Sequence, residues 1–281
     1  MNITLNDILP SIPALVASSL SEDIGSGDIS AQLIPANRQA QAYVITREDC
    51  VLCGQPYFDE VFNQLGGVQI NWLVAEGAAV SANTRLVELH GPARVLLSGE
   101  RCALNFLQTL SGTATTTANY INLVKDAAFK LLDTRKTIPG LRLAQKYAVA
   151  VGGGFNHRIG LYDAFLIKEN HIAACGSISE AVQQARLLAP QKPIEVEVET
   201  LEQLHEAIAA KADRVMLDNF TLEDTQSAIA LTKDQCEIEI SGNLTADNLA
   251  ALLNKQVDYV SSGALTKHLR AIDLSMRLQL T

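Results

Sequence analysis

The spacing of apolar and polar positions changes character twice along the chain. Residues 5–20 carry a helical pattern interrupted by Pro10 and Pro13, and the turn-rich run SEDIGSGDIS follows. From about residue 40 to 97, short alternating runs separated by glycine predict strands: QAYVITRED, GGVQINWLVAEG, TRLVELHG and ARVLLSG. FDEVFNQL predicts a helix between two of them. This first part reads as a small α+β unit. From Ser98 to about Asp126 the period is helical, with Leu104, Leu107 and Leu110 on one face and Ser111-Gly112 as a break into two helices.

From about Lys130 the pattern changes again. The runs FKLLDTRK, AFLIKEN, IEVEVET, RVMLDN, CEIEISGN and DYVSSG each pass from apolar to polar or charged residues. Their terminal residues Asp133, Lys168, Glu197, Asp218, Ser241 and Ser262 are 35, 29, 21, 23 and 21 positions apart. The segments between the later ones open with helix-capping patterns at Thr200, Thr221 and Thr245. Strand–helix units of this length imply parallel strands joined by right-handed crossovers. Polar residues at successive strand C-termini mark the active-site end of a (β/α) barrel. Six strands are visible, with a short seventh expected near Ala148–Gly152. That is too few for a closed eight-stranded barrel unless the first part lends elements.

Composition narrows the function. With 48% hydrophobic and 19% charged residues, this is a globular composition. The net charge of −9 argues against nucleic-acid or membrane-surface binding. No run reaches the roughly 18 apolar residues of a membrane span, and the N-terminal segment lacks a basic leader region. The five cysteines, odd in number and mostly in apolar contexts, suit reduced thiols in a cytoplasm. Cys50-Val-Leu-Cys53 has no second pair for zinc and no helix start for a redox site, so it reads as structural. EGAAVSANTRLVELHG has the cadence of a lipoyl-type carrier barrel but lacks a lysine to modify.

Against this acidic background, residues 133–171 hold six Lys/Arg and three Asp/Glu. If such cations converge, each like-charge pair at ~4 Å costs up to about 4 kcal/mol at an effective dielectric near 20. An anion among them relieves that cost. Arg135 and Arg158 suit planar two-oxygen anions, Lys136 suits phosphate, and His157 stands beside Arg158. Gly152-Gly153-Gly154 allows either an anion nest or a plain flexible turn. No nucleotide-binding glycine motif of the Rossmann or Walker type occurs. Glu195, Glu197 and Glu199 alternate on one strand and share a face. Glu197 reads best at the barrel mouth with Lys168 and Asp218, where carboxylates suit Mg²⁺ or sugar hydroxyls. Arg101, near an expected helix start, opposes the helix dipole there, a hint of function. Lys168 alone would also serve an aldolase-type Schiff base.

The runs DTRKTIPGLR, NHRIGLYDAFLIKENHI, EVEVETLEQL, VMLDNF, SGN and SSGALT, with ERCALNFLQTLSG upstream, resemble the quinolinate phosphoribosyltransferase family in order and spacing. The resemblance implies an α/β protein: an N-terminal α/β sandwich over 1–112 and an open, about seven-stranded parallel α/β barrel over 113–269. The tail 270–281 would pack on the first domain. It implies transfer of phosphoribose from phosphoribosyl pyrophosphate to quinolinate, with release of pyrophosphate and CO2. The C2 carbanion left by CO2 is stabilised by the new pyridinium, so no dedicated general acid is required. It further implies a cytoplasmic homodimer using substrate-bound Mg²⁺ and no organic cofactor. Arg135, His157 and Arg158 would grip the carboxylates, with Arg101 supplied by the partner subunit. Lys136 and Lys168 would meet phosphate and pyrophosphate. Glu197 and Asp218 would meet ribose and metal, and Ser241, Gly242, Ser262 and Gly263 the 5′-phosphate. Asn243, Ser262 and Lys267-His268 depart from the usual family residues.

Overall fold

The computed structural model describes residues 2–233, 235–242, 249, 252 and 256–280. Asn243 and the helix start expected at Thr245 lie outside the described residues. Two compact units form. One comprises Met1–Asn119, Thr137–Gly153 and Leu265–Thr281, the other Tyr120–Lys136 and Gly154–Ala264.

In the first unit, helices α1 (Leu5–Ile8) and α2 (Ile12–Ile24) flank a 3-10 turn. Pro10 and Pro13 sit in first turns, where no amide donor is needed. Strands β1 (Gln39–Thr46), β2 (Cys50–Val51), β3 (Gln69–Trp72), β4 (Ala79–Val80) and β5 (Arg85–Pro92) follow, with α3 (Gln55–Leu65) after β2. The antiparallel sheet runs β12-β1-β5-β3, where β12 is the tail strand Leu274–Leu280. One face buries Ala40, Ala42, Val44, Val87 and Leu89. The run ARVLLSG, expected as a strand, is instead the start of α4 (Ala93–Leu123). Ala93, Leu96, Ala103, Leu107 and Leu110 hold the helical period from Pro92 onward. Nor does Ser111-Gly112 break α4. Ser111 Oγ accepts from Cys53 N at 2.9 Å, and a Cβ on Gly112 would collide with the carbonyl oxygen of Arg270. Both residues are small because neighbours approach closely. Cys50 and Cys53 are buried free thiols, and burial pushes Cys53 well up in pKa.

The second unit is a six-stranded parallel sheet. Its strands are β6 (Lys130–Leu132), β7 (Phe165–Ile167), β8 (Ile194–Val198), β9 (Arg214–Asp218), β10 (Glu237–Ser241) and β11 (Tyr259–Ser261), ordered β6-β11-β10-β9-β8-β7. Phe155 adds a single parallel bridge to Leu132 beyond β6. Among the described residues, that bridge is all that forms of a seventh strand. The position expected for it, Ala148–Gly152, is in α5 (Arg142–Val151) and its glycine cap, since Leu143, Tyr147 and Val151 follow a helical period. Helices α6 (Glu169–Cys175), α7 (Ile178–Leu188), α8 (Leu201–Ala209) and α9 (Leu222–Thr232) connect strands. Thr200 and Thr221 cap α8 and α9 through the amides of Gln203 and Asp224. Apolar residues of β8 and β9 (Ile194, Val196, Val198, Val215, Leu217) are fully buried. Among the described residues no helix is long and apolar enough to cross a membrane.

Candidate active site

Every strand of the parallel sheet ends at the same mouth, and most of the chemistry-bearing residues collect there. A cleft of roughly 340 Å³ is lined by Arg135, Lys136, His157, Arg158, Lys168, Glu197 and Ser241. Thr134, Leu166, Met216 and Ser261 complete the wall; the sequence reading did not single these out. Arg135 and Lys136 follow β6, Lys168 follows β7, and Glu197 and Ser241 lie at the ends of β8 and β10. Burial lowers the pKa of Arg158, and the positive charge of Arg135 lowers it further. The two guanidiniums therefore do converge and repel. Lys168 Nζ pairs with the Glu197 carboxylate across the cleft.

The basic stretch divides between the two units. Arg142 and Lys146 lie on α5 in the first unit, where Lys146 is fully buried. Arg101 is exposed on α4, also in the first unit. It lies in the third turn rather than at a helix start, so the expected conflict with the dipole does not arise. Gly152 caps α5 and Gly153 turns the chain with φ 88°, the ordinary use of glycine at a helix end. Asp218 ends β9, and its Oδ2 accepts from Asn219 Nδ2 at 2.9 Å. Gly242 follows β10 with φ 154° and open space on its Cα. Ser262 is buried, and its hydroxyl accepts from Ala264 N at 3.2 Å. At Gly263 a Cβ would sit 2.8 Å from Lys136 Cδ, so the missing side chain leaves room for the lysine stem.

Beneath the cleft lies a buried polar layer that joins Asp133, Glu195 and His157, singled out above, to Arg214 and Glu239, which were not. Asp133, fully buried, accepts from Asn156 Nδ2 at 2.7 Å and His157 N at 2.9 Å. Asp163 accepts from Ile159 N at 2.5 Å and Gly160 N at 3.3 Å. His157 Nε2 is 3.0 Å from Glu195 Oε2 and 3.4 Å from Glu239 Oε2. Arg214 Nη1 is 3.4 Å from Glu239 Oε2, and its guanidinium covers the Tyr259 ring at 3.7 Å. A signal for this layer exists in the sequence: EVEVE and EIEIS place glutamates alternately in otherwise apolar strands. Burial disfavours a charged imidazole, while the two neighbouring carboxylates favour one. The ring geometry opposes that charge. Arg158 N donates to His157 Nδ1 at 2.7 Å, and an imidazolium has no lone pair there. Burial and the charge of Glu239 both raise the Glu195 carboxyl.

A cation-lined cleft at the C-terminal mouth of an open parallel α/β barrel defines an enzyme of multiply charged anionic substrates. Two family models cover nearly the whole chain: the quinolinate phosphoribosyl transferase N-terminal domain over residues 28–111 and the C-terminal domain over 113–277. A "probable nicotinate-nucleotide pyrophosphorylase [carboxylating]" of Bacillus subtilis is 44% identical over 262 residues, 92% of this chain and 91% of the relative. The human nicotinate-nucleotide pyrophosphorylase [carboxylating] is 37% identical over 273 residues, 95% of this chain and 91% of that protein. The solved nicotinate-nucleotide pyrophosphorylase of Francisella tularensis superposes with a TM-score of 0.93 at 52% identity, covering 99% of this chain and 98% of that one. The chain belongs to the quinolinate phosphoribosyl transferase family.

Proposed function

We propose that the protein transfers the phosphoribosyl group of phosphoribosyl pyrophosphate to the ring nitrogen of quinolinate. CO2 is lost, and nicotinate mononucleotide and pyrophosphate are formed, a step of NAD biosynthesis. The observation that carries this reading is the convergence of Arg135, Arg158, Lys136 and Lys168 on one cleft in a chain of that family. Arg135 and Arg158 bind the two carboxylates of quinolinate, whose charges remove their mutual repulsion. Lys136 and Lys168 meet the phosphates. Glycosyl transfer of this kind is mainly positioning plus charge stabilisation, so the chain needs no activated nucleophile.

Glu197 and Asp218 face the ribose side. Among the described residues they belong to no cluster of three metal-binding groups. Two carboxylates suit Mg²⁺ that keeps water and phosphate oxygens as its other ligands, so the ion arrives with the pyrophosphoryl substrate. When bound, Mg²⁺ supplies charge neutralisation to the departing pyrophosphate. In the free protein Lys168 and Glu197 occupy each other, and substrate separates them, lysine to phosphate and carboxylate to ribose. That ion pair ties up the amine an aldolase-type Schiff base would need. Ser241, Gly242, Ser262 and Gly263 surround the 5′-phosphate end, with Gly263 giving Lys136 its room. The working form is a cytoplasmic homodimer in which Arg101 completes the partner's site. The purified protein with quinolinate, phosphoribosyl pyrophosphate and Mg²⁺ should release CO2 and pyrophosphate in equal amounts. Absence of CO2, or equal turnover of nicotinate, would overturn the reading.

A further inference from the structure

We propose that Glu195 and Glu239 are positioning residues for this reaction, acting through the His157 ring to set the main chain of Arg158. The proposal rests on reading Arg158 as part of the dicarboxylate grip. Both ring nitrogens of His157 are turned toward the protein. Nε2 faces the two glutamates at 3.0 Å and 3.4 Å, and Nδ1 accepts the Arg158 N–H at 2.7 Å. That arrangement defines the neutral Nε2–H tautomer, with Nε2 directed at two carboxyl groups. The glutamates stand on β8 and β10, the two neighbours of β9, so their separation is set by the sheet itself. Arg214 on β9 balances Glu239, and Ser261 stands beside that carboxylate. Asp133 holds His157 by its main chain while the glutamates hold its ring. The Nδ1 lone pair then fixes where Arg158 begins, and Asp163 fixes the two residues after it. Arg158 is thus aimed from beneath by its main chain, and among the described residues its fork donates to Ala164 O at 3.2 Å.

His157, Glu195 and Glu239 also present three ligand atoms within 4.8 Å of one another. A metal on Nε2 requires the other ring nitrogen to donate a proton to an acceptor. Here Nδ1 faces a donor, and Arg214 already supplies the positive charge. The trio is therefore a hydrogen-bonded support and not a metal centre.

The test pairs kinetics with a tautomer measurement. Glu239→Ala should raise KM for quinolinate by about ten- to a hundredfold, the effect of a displaced binding group, while KM for phosphoribosyl pyrophosphate stays within about threefold. Glu239→Gln, whose amide oxygen still accepts from Nε2–H, should restore most of the loss. Equal losses toward both substrates, or no rescue by glutamine, would overturn the proposal. Nitrogen-15 shifts of His157 in the unaltered protein should show the neutral Nε2–H form from about pH 6 to about pH 9. A doubly protonated ring over that range would sink it. This measurement needs no turnover, so it stands even if quinolinate proves not to be the substrate.

Discussion

At the scale of single residues, the cleft holds cations where they repel. Arg158 is depressed in pKa by burial and then by Arg135, so a dianionic ligand gains binding energy by relieving that strain. Arg158→Lys keeps the charge and loses the two-pronged fork. We expect kcat/KM for quinolinate to fall by about 1.5–3 kcal/mol of transition-state binding, the size of a charge-assisted contact; unchanged kinetics would remove Arg158 from the grip. Cysteines report a second residue-scale property. Cys50 and Cys53 are buried and Cys175 is exposed. Native protein treated with iodoacetamide should therefore be labelled first at Cys175, read by peptide mass, and early labelling of Cys53 would contradict its packing. The cations of the cleft were legible in the sequence because like charges stood out in an acidic chain. The partners of Asp133, Glu195, Arg214 and Glu239 were not, because they are brought together by the folded sheet and the segment beside it. Glu195 sits beside Arg214 across one sheet step, and no local pattern states that pairing.

At the scale of elements, α4 and α5 show where local reading fails. Ser111-Gly112 has the composition of a helix break, yet α4 runs unbroken from Ala93 to Leu123. The glycine is required by the approach of the Arg270 main chain, a contact 158 positions away in sequence, which only the folded chain reveals. Gly112→Ala should therefore lower stability by about 1–3 kcal/mol, the cost of overpacking, although alanine is the better helix former. Thermal unfolding checks this; a raised midpoint would show that the contact yields freely. The run Ala148–Gly152 offers the opposite lesson. Its apolar residues fit strand and helix periods equally over so few positions, and burial within α5 decides for the helix. Capping threonines, by contrast, read correctly because Thr200 and Thr221 act on amides three residues ahead.

At the scale of the whole molecule, the proposed dimer makes a prediction that no single chain can satisfy. If Arg101 serves the partner's site, Arg101→Ala and Arg135→Ala variants are each inactive. Mixing them equally should restore about a quarter of normal activity, since half of random dimers are mixed and each then has one intact site. No recovery after exchange would place Arg101 outside the site. The sequence by itself determined the class of architecture, through the recurrence of apolar runs ending in polar residues, and the family, through its motifs in order. It also determined that cations gather near residues 133–171. Only the tertiary structure decided which of those cations share a cleft. Arg135, Lys136 and Lys168 follow sheet strands and Arg158 follows the bridge residue Phe155, while Arg142 and Lys146 leave on α5. Only the tertiary structure, too, assigned His157 its buried carboxyl partners. The physical reason is the same in both cases. Periodicity and capping act over a few residues and are written locally, whereas charge neighbours are set by sheet order, which brings distant strands within a few ångströms.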